Sequence, residues 1–166
     1  MPYPSSVDTG QIQPWFLGDL ADLSNCSANT RTTNGVYFQH TLLSASVVLT
    51  GFRYQFGAGG NGHCDIGLYD AAGNLLTHIG STLTAAGTQT YTLASALPLS
   101  PGRYYIGFWI DNVTDTSFSV SATNLGAIPA LTGVNAGGLP AAMSQVTLSN
   151  FQRRLSILGL VQGGWS

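Results

Sequence analysis

The sequence predicts an all-β fold: an antiparallel β-sandwich of jelly-roll form, with an extended N-terminal arm and a C-terminal tail. Three observations point there. All five basic residues are arginines and all seven acidic residues are aspartates, so the chain has neither lysine nor glutamate. Those two residue types normally clothe exposed helix faces, and without them surface helices are not expected. Second, roughly eight or nine short segments alternate with period two and are separated by Gly, Pro, Asn and Asp turn signals, the pattern of a sandwich. Third, the stretch Leu99 to Asn112 reads as a central strand. Pro101-Gly102 turns the chain, after which Tyr104, Ile106, Phe108 and Ile110 share one face and Tyr105, Gly107, Trp109 and Asp111 the other. A strand covered on one face only alternates apolar with polar residues. Here the second face is aromatic, so something must shield it or bind to it.

Taken in order, residues 1–33 form the arm and 34–166 a single sandwich domain. In the arm, Pro2, Pro4 and Pro14 oppose regular pairing, Trp15-Phe16-Leu17 supplies an apolar anchor, and 24–34 is a polar loop. Such an anchor either crosses its own sandwich or grips a neighbouring subunit. Val36 to Leu42 begins the β pattern. Ala45 to Phe56 continues it, with Phe52, Tyr54 and Phe56 on one face, Arg53 and Gln55 on the other, and a bulge or bend expected near Gly51. The glycine-rich loop 57–62 lacks the lysine and following helix of a phosphate-cradling loop. His63 to Tyr69 is the next strand, Asp70 to Asn74 a hairpin turn with glycine where positive φ is needed, and Leu75 to Ile79 the return. A turn at Thr84 to Thr88 leads to a strand over Thr88 to Leu93, then to the central strand and to Thr116–Ser121. Residues 122–142 carry no charge and no clear period. They are too apolar for a solvated linker, so they are expected to lie against another subunit or to wrap their own sandwich. Met143 to Leu148 and Arg154 to Val161 read as closing strands, and the tail ends on Trp165.

The bulk composition limits the functions open to the chain. At 166 residues it holds one domain with a proper core. Charged residues are 7% of the sequence, against about 25% in an ordinary soluble domain. A net charge of −2 with no basic stripe excludes the footprint of a nucleic-acid binder, and no apolar run approaches the ~20 residues of a membrane-spanning helix. No nucleic-acid partner and no membrane insertion are therefore expected. The start, Met1-Pro-Tyr-Pro, lacks the basic and apolar regions of a secretion signal. Cys26 and Cys64 sit in no motif and are expected as free, buried thiols.

Three stretches carry a resemblance: Ile66-Gly-Leu-Tyr-Asp-Ala-Ala-Gly-Asn-Leu75, Gly87-Thr-Gln-Thr-Tyr-Thr-Leu93 and Leu99-Ser-Pro-Gly-Arg-Tyr-Tyr-Ile-Gly-Phe108. Together they resemble a β-sandwich module of bacteriophage virion proteins, found in tail fibres, tail tips and capsid-surface proteins and similar to carbohydrate-binding jelly rolls. The resemblance spans under a third of the chain. It implies a non-enzymatic structural protein of the virion, assembled in the host cytoplasm, of the capsid-decoration or tail-accessory kind. Its expected partners are other virion proteins and copies of itself. The family brings no shared catalytic set, and no cofactor is expected.

Residues that could carry chemistry are few. His63-Cys64-Asp65 places three potential metal ligands in a row, but a zinc site needs further ligands, and neither His40 nor His78 is spaced to supply them. Cys64 with either histidine has no nucleophile signature around it. Of the carboxylates a glycosidase would need, Asp70 and Asp115 read as turn aspartates bonding their own backbone. No catalytic residue and no metal ligand is assigned. Sugar binding is the alternative function, with Tyr105 and Trp109 stacking on a host-surface glycan while Asp111 accepts hydroxyl hydrogen bonds; against it, the same rings could pack under 122–142. For assembly, the expected contacts are Trp15, Phe16, Leu17, Leu131, Leu139 and Trp165.

Overall fold

The computed structural model describes residues 15–17, 27–121, 130–151, 153–155 and 157–163. Fourteen strands follow one another, β1 (Trp15–Leu17), β2 (Ser27–Thr30), β3 (Gly35–Leu43), β4 (Val47–Ala58), β5 (His63–Tyr69), β6 (Leu75–His78), β7 (Thr82–Leu83), β8 (Gly87–Leu99), β9 (Gly102–Ile110), β10 (Thr116–Ser121), β11 (Ala130–Val134), β12 (Ser149–Phe151), β13 (Arg153–Leu155) and β14 (Ile157–Gly163). Among the described residues there is no α-helix, as the missing Lys and Glu foretell. Two antiparallel sheets of seven strands each pack face to face. The first runs β1-β14-β4-β10-β13, with β2 added to β10 and β8 to β4; the second runs β12-β11-β3-β9-β5-β6, with β7 added to β5.

The core between the sheets follows from the alternation. Phe52, Tyr54 and Phe56 of β4 meet Ile66 and Leu68 of β5 and Ile106, Phe108 and Ile110 of β9, all buried. Tyr54 stacks on Phe108 with ring centroids 4.5 Å apart, and Phe56 meets Tyr54 edge-on at 4.6 Å. Each such side chain contributes about 1.5–3 kcal/mol by leaving water. Strand β9 is central, paired along its whole length with β3 and along Tyr105 to Ile110 with β5. The expected irregularity at Gly51 is present, since the β4–β8 register shifts between Leu49 and Gly51. A Cβ at Gly51 would collide with the Tyr91 carbonyl, so only glycine lets β8 pass so close.

Three parts of the chain depart from the sequence-based expectations. The polar loop expected over 24–34 contains strand β2, which pairs with β10 in the first sheet; the anchor at Trp15–Leu17 takes one of its two expected courses, with β1 pairing to β14 in that same sheet. Residues 122–142 are not one loop, because β11 pairs with β3 and extends the second sheet. Met143 to Leu148 is not a strand. Met143–Gln145 form a 3-10 turn, held where the Met143 N–H donates to the Gly73 carbonyl at 2.8 Å and the Ala142 N–H to the Gln145 side chain at 3.1 Å. The apolar alternation there serves docking onto a sheet face, not ladder pairing.

Candidate functional site

The chemistry-bearing side chains gather in three places: the outer face of the second sheet, one end of the sandwich, and the neighbouring strands β5 and β6. On the outer face, Tyr105, Gly107 and Trp109 of β9 stand beside Tyr69, Gly67 and Asp65 of β5 on one side and His40, Phe38 and Val36 of β3 on the other. Over them runs residues 135–148, a strap between β11 and β12. It is held by backbone carbonyls that accept buried donors. The Trp109 indole N–H donates to the Asn135 carbonyl at 2.7 Å, and the Tyr69 hydroxyl to the Pro140 carbonyl at 2.7 Å. The Leu75 N–H donates to the Ala141 carbonyl at 2.9 Å.

The strap has a seat. Gly67 and Gly107 are in register on neighbouring strands, and the Leu139 side chain lies over both. A Cβ at Gly67 would stand 2.8 Å from Leu139 Cδ1, and one at Gly107 3.2 Å from Leu139 Cδ2 and 2.6 Å from the Tyr69 ring. A glycine within a strand often marks a close approach by another part of the chain. Two of them side by side were the available sequence signal for this slot.

The proposed sugar platform is thus divided. Trp109 is 6% exposed, with its polar atom already bonded, so a sugar has no ring face of Trp109 to stack on. Tyr105 stays half-buried, edge-on to His40 with centroids 5.6 Å apart. Asp111 lies past the end of β9 and belongs to a different group of residues. Of the expected assembly contacts, Leu131 and Leu139 pack against the chain's own cluster of Val36, Phe38, Tyr69, Trp109 and Met143. The backbone of Trp15, Phe16 and Leu17 pairs with β14. Trp165 lies outside the described residues, as does Cys26.

At the end of the sandwich the loops 59–62, 84–86 and 111–115 are tied through two carboxylates. Asp111 Oδ1 accepts the His63 backbone N–H at 2.8 Å and the Asn112 amide at 3.0 Å, while Oδ2 lies 3.1 Å from His63 Nδ1. Asp115 is fully buried; its Oδ1 accepts the Asn61 side-chain amide at 2.7 Å and the Asn61 backbone N–H, and its Oδ2 accepts from the Thr84 hydroxyl and the Asn112 amide. Burial works against both charges, but these donors outweigh it and hold both carboxyls below the usual carboxylate range. The expectation that Asp115 bonds the backbone of its own turn is not met: Asn112 Oδ1 does that, accepting the Thr114 and Asp115 N–H groups, while the Asp115 carboxylate joins three loops. Asp70 does what its turn predicts, with Oδ1 accepting the Ala72 and Asn74 N–H groups at 2.9 Å each.

The third place is a pair. Asp65 is 3% exposed, with Oδ2 2.7 Å from His78 Nδ1 and Oδ1 without a partner among the described residues. Burial pushes this carboxyl up, more than the His78 contact brings it down. Its neighbour Cys64 faces the opposite way into the core, its thiol pushed up to about 12 by burial, which leaves it unreactive. His63, Cys64 and Asp65 therefore do not converge. Among the described residues no three His, Cys, Asp or Glu side chains are grouped to hold a metal ion. A shallow groove of about 590 Å³ beside the strap is lined by hydroxyl, amide and aliphatic groups, including Thr32, Thr132, Gln145, Thr147 and Ser149. No family model matches the chain, and no curated protein matches it.

Proposed function

We propose that the protein is a non-enzymatic structural component of a virion: a jelly-roll-type sandwich of the capsid-decoration or tail-accessory kind, working by assembly with copies of itself and with other virion proteins. The observation that carries this reading is the use made of the chemistry-bearing side chains. Trp109 and Tyr69 hold down the strap, Asp111 and Asp115 tie loops together, Asp70 shapes its turn, and His78 faces Asp65. Side chains used in this way build a rigid, weakly charged body that presents surface. The three stretches resembling virion modules support it as well, forming the β5–β6 hairpin, the first half of β8, and the turn into β9. The test is mass spectrometry of purified particles, with co-sedimentation of added protein. Stoichiometric presence is expected, and a chain found only in the particle-free fraction overturns the reading.

A second reading, binding of a host-surface glycan, is supported by the hydroxyl-lined groove and not by the face of Trp109. A glycan array answers it, with binding expected to fall on Thr132→Val if the groove is the site.

A further inference from the structure

The strands at one margin of the second sheet are short: four residues in β6 and two in β7. Strand β8 is different. It runs 13 residues and, among the described residues, pairs along one side only, with β4. A long open edge is a template for another strand, and proteins guard such edges with charge, proline or bulges. The second half of β8 is guarded. Leu93 to Ala96 bulge out between the Gly51–Thr92 and Leu49–Leu97 pairs, and Pro98 follows with no N–H to offer. The first half, Gly87-Thr-Gln-Thr-Tyr-Thr92, has no charge, no proline and no register shift against β4.

The unguarded half also reads nearly the same in both directions about Thr90. Opposed residues in an antiparallel pair point to the same face, so a strand pairing with itself about a two-fold axis must centre on a residue. Centred on Thr90, the pairing sets Thr90 against Thr90, Thr88 against Thr92, and Gln89 against Tyr91. The three threonines are exposed and Gln89 and Tyr91 half-buried, so the burial pattern matches across the axis, and Thr–Thr pairs are favourable cross-strand neighbours. The nearest charge is Arg53, paired with Thr90. Its twin in the second copy would be three strand spacings away, roughly 14 Å, which is beyond the screening length at physiological salt.

We infer that the Gly87–Thr92 edge pairs antiparallel with the same edge of a second copy, centred on Thr90, so that the first sheets of two copies become one. The inference deepens the assembly reading above and rests on it for its setting. A contact of this size is small beside the ~800 Å² per partner of a stable interface, and so acts where copies are concentrated on a surface.

The test uses the full chain with Cys26→Ser in every variant, under mild oxidation at high concentration. Opposed residues across such a pair have Cα atoms about 4.5–5.5 Å apart, within disulfide reach. Thr90→Cys is expected to form a covalent dimer on a non-reducing gel. Thr88→Cys alone is expected to stay monomeric, and Thr88→Cys mixed with Thr92→Cys to cross-link. Thr90→Lys opposes two charges on the axis and is expected to lower cross-linking of the Thr88→Cys and Thr92→Cys mixture at least tenfold, with an unchanged circular dichroism spectrum. A monomeric Thr90→Cys, or Thr88→Cys cross-linking as well as Thr90→Cys does, overturns the inference. Cross-linking by Thr90→Cys in a chain absent from particles would overturn the virion reading alone; a particle-bound chain that fails to cross-link would overturn only the pairing.

Discussion

The two outer faces of the sandwich are built on the same alternation and end in opposite states. On the first sheet, Arg53 and Gln55 of β4 stand beside Thr90 and Thr88 of β8; Gln55 is half-buried and the other three are exposed. On the second sheet, the corresponding positions are Tyr105, Gly107 and Trp109 with Tyr69 and Phe38, under the strap. The difference shows what an aromatic outward face with paired glycines means. It is the underside of a third layer, whereas the polar positions described on β4 and β8 are left largely exposed.

Substitutions can break or sharpen that contrast. The largest effect is expected from Trp109→Ala, which empties a buried site and leaves the Asn135 carbonyl without its donor. A loss of about 3–5 kcal/mol is expected by denaturant unfolding. Gly107→Val should follow at about 1–3 kcal/mol, because its side chain enters the Leu139 seat and meets the Tyr69 ring. Tyr69→Phe keeps the ring and removes only the hydrogen bond to the Pro140 carbonyl, for a loss of about 1–2 kcal/mol. Arg53→Ala on the open face should stay within about 0.5 kcal/mol. A comparable loss at Arg53 and Trp109 would erase the distinction between the faces.

The two histidine–aspartate pairs allow a subtler comparison, read as stability against pH. Asp111 is held below the ordinary carboxylate value, so its stabilisation is present above about pH 4 and is lost as pH falls through its lowered value. Asp65 is raised, so its ionisation in the fold costs stability as pH climbs from about 4 through its higher value. The deficit of Asp111→Asn should therefore shrink on acidification, while any gain from Asp65→Asn should be present near neutrality and shrink on acidification. Chemical denaturation at a series of pH values measures both.

Much of this architecture is legible in the residues. Strand β9, the β5–turn–β6 hairpin and the break at Gly51 follow from alternation and turn chemistry, which are local. The aromatic second face implies a cover, and 122–142 is the stretch expected there; its described part supplies Leu139 to that cover, which runs on to residue 148. The path of the strap was hidden because its anchors are the carbonyls of Asn135, Pro140 and Ala141, an atom every residue carries. Met143 to Leu148 alternates like a strand yet docks through a 3-10 turn, since the Gly73 carbonyl that captures it lies far away in sequence. The second half of β8 escaped for a related reason: Ala94-Ser95-Ala96 has weak strand propensity and rides a bulge that only the tertiary pairing defines.

The seat for Leu139 also has a bearing on time. It exists only after β5 and β9, distant along the chain, have come into register, so the strap cannot dock before the second sheet is assembled. It should close after that sheet and open before it, exchanging its amide hydrogens well before those of β9 do. The layer that covers the sheet is in this sense more readily reversible than the sheet it covers.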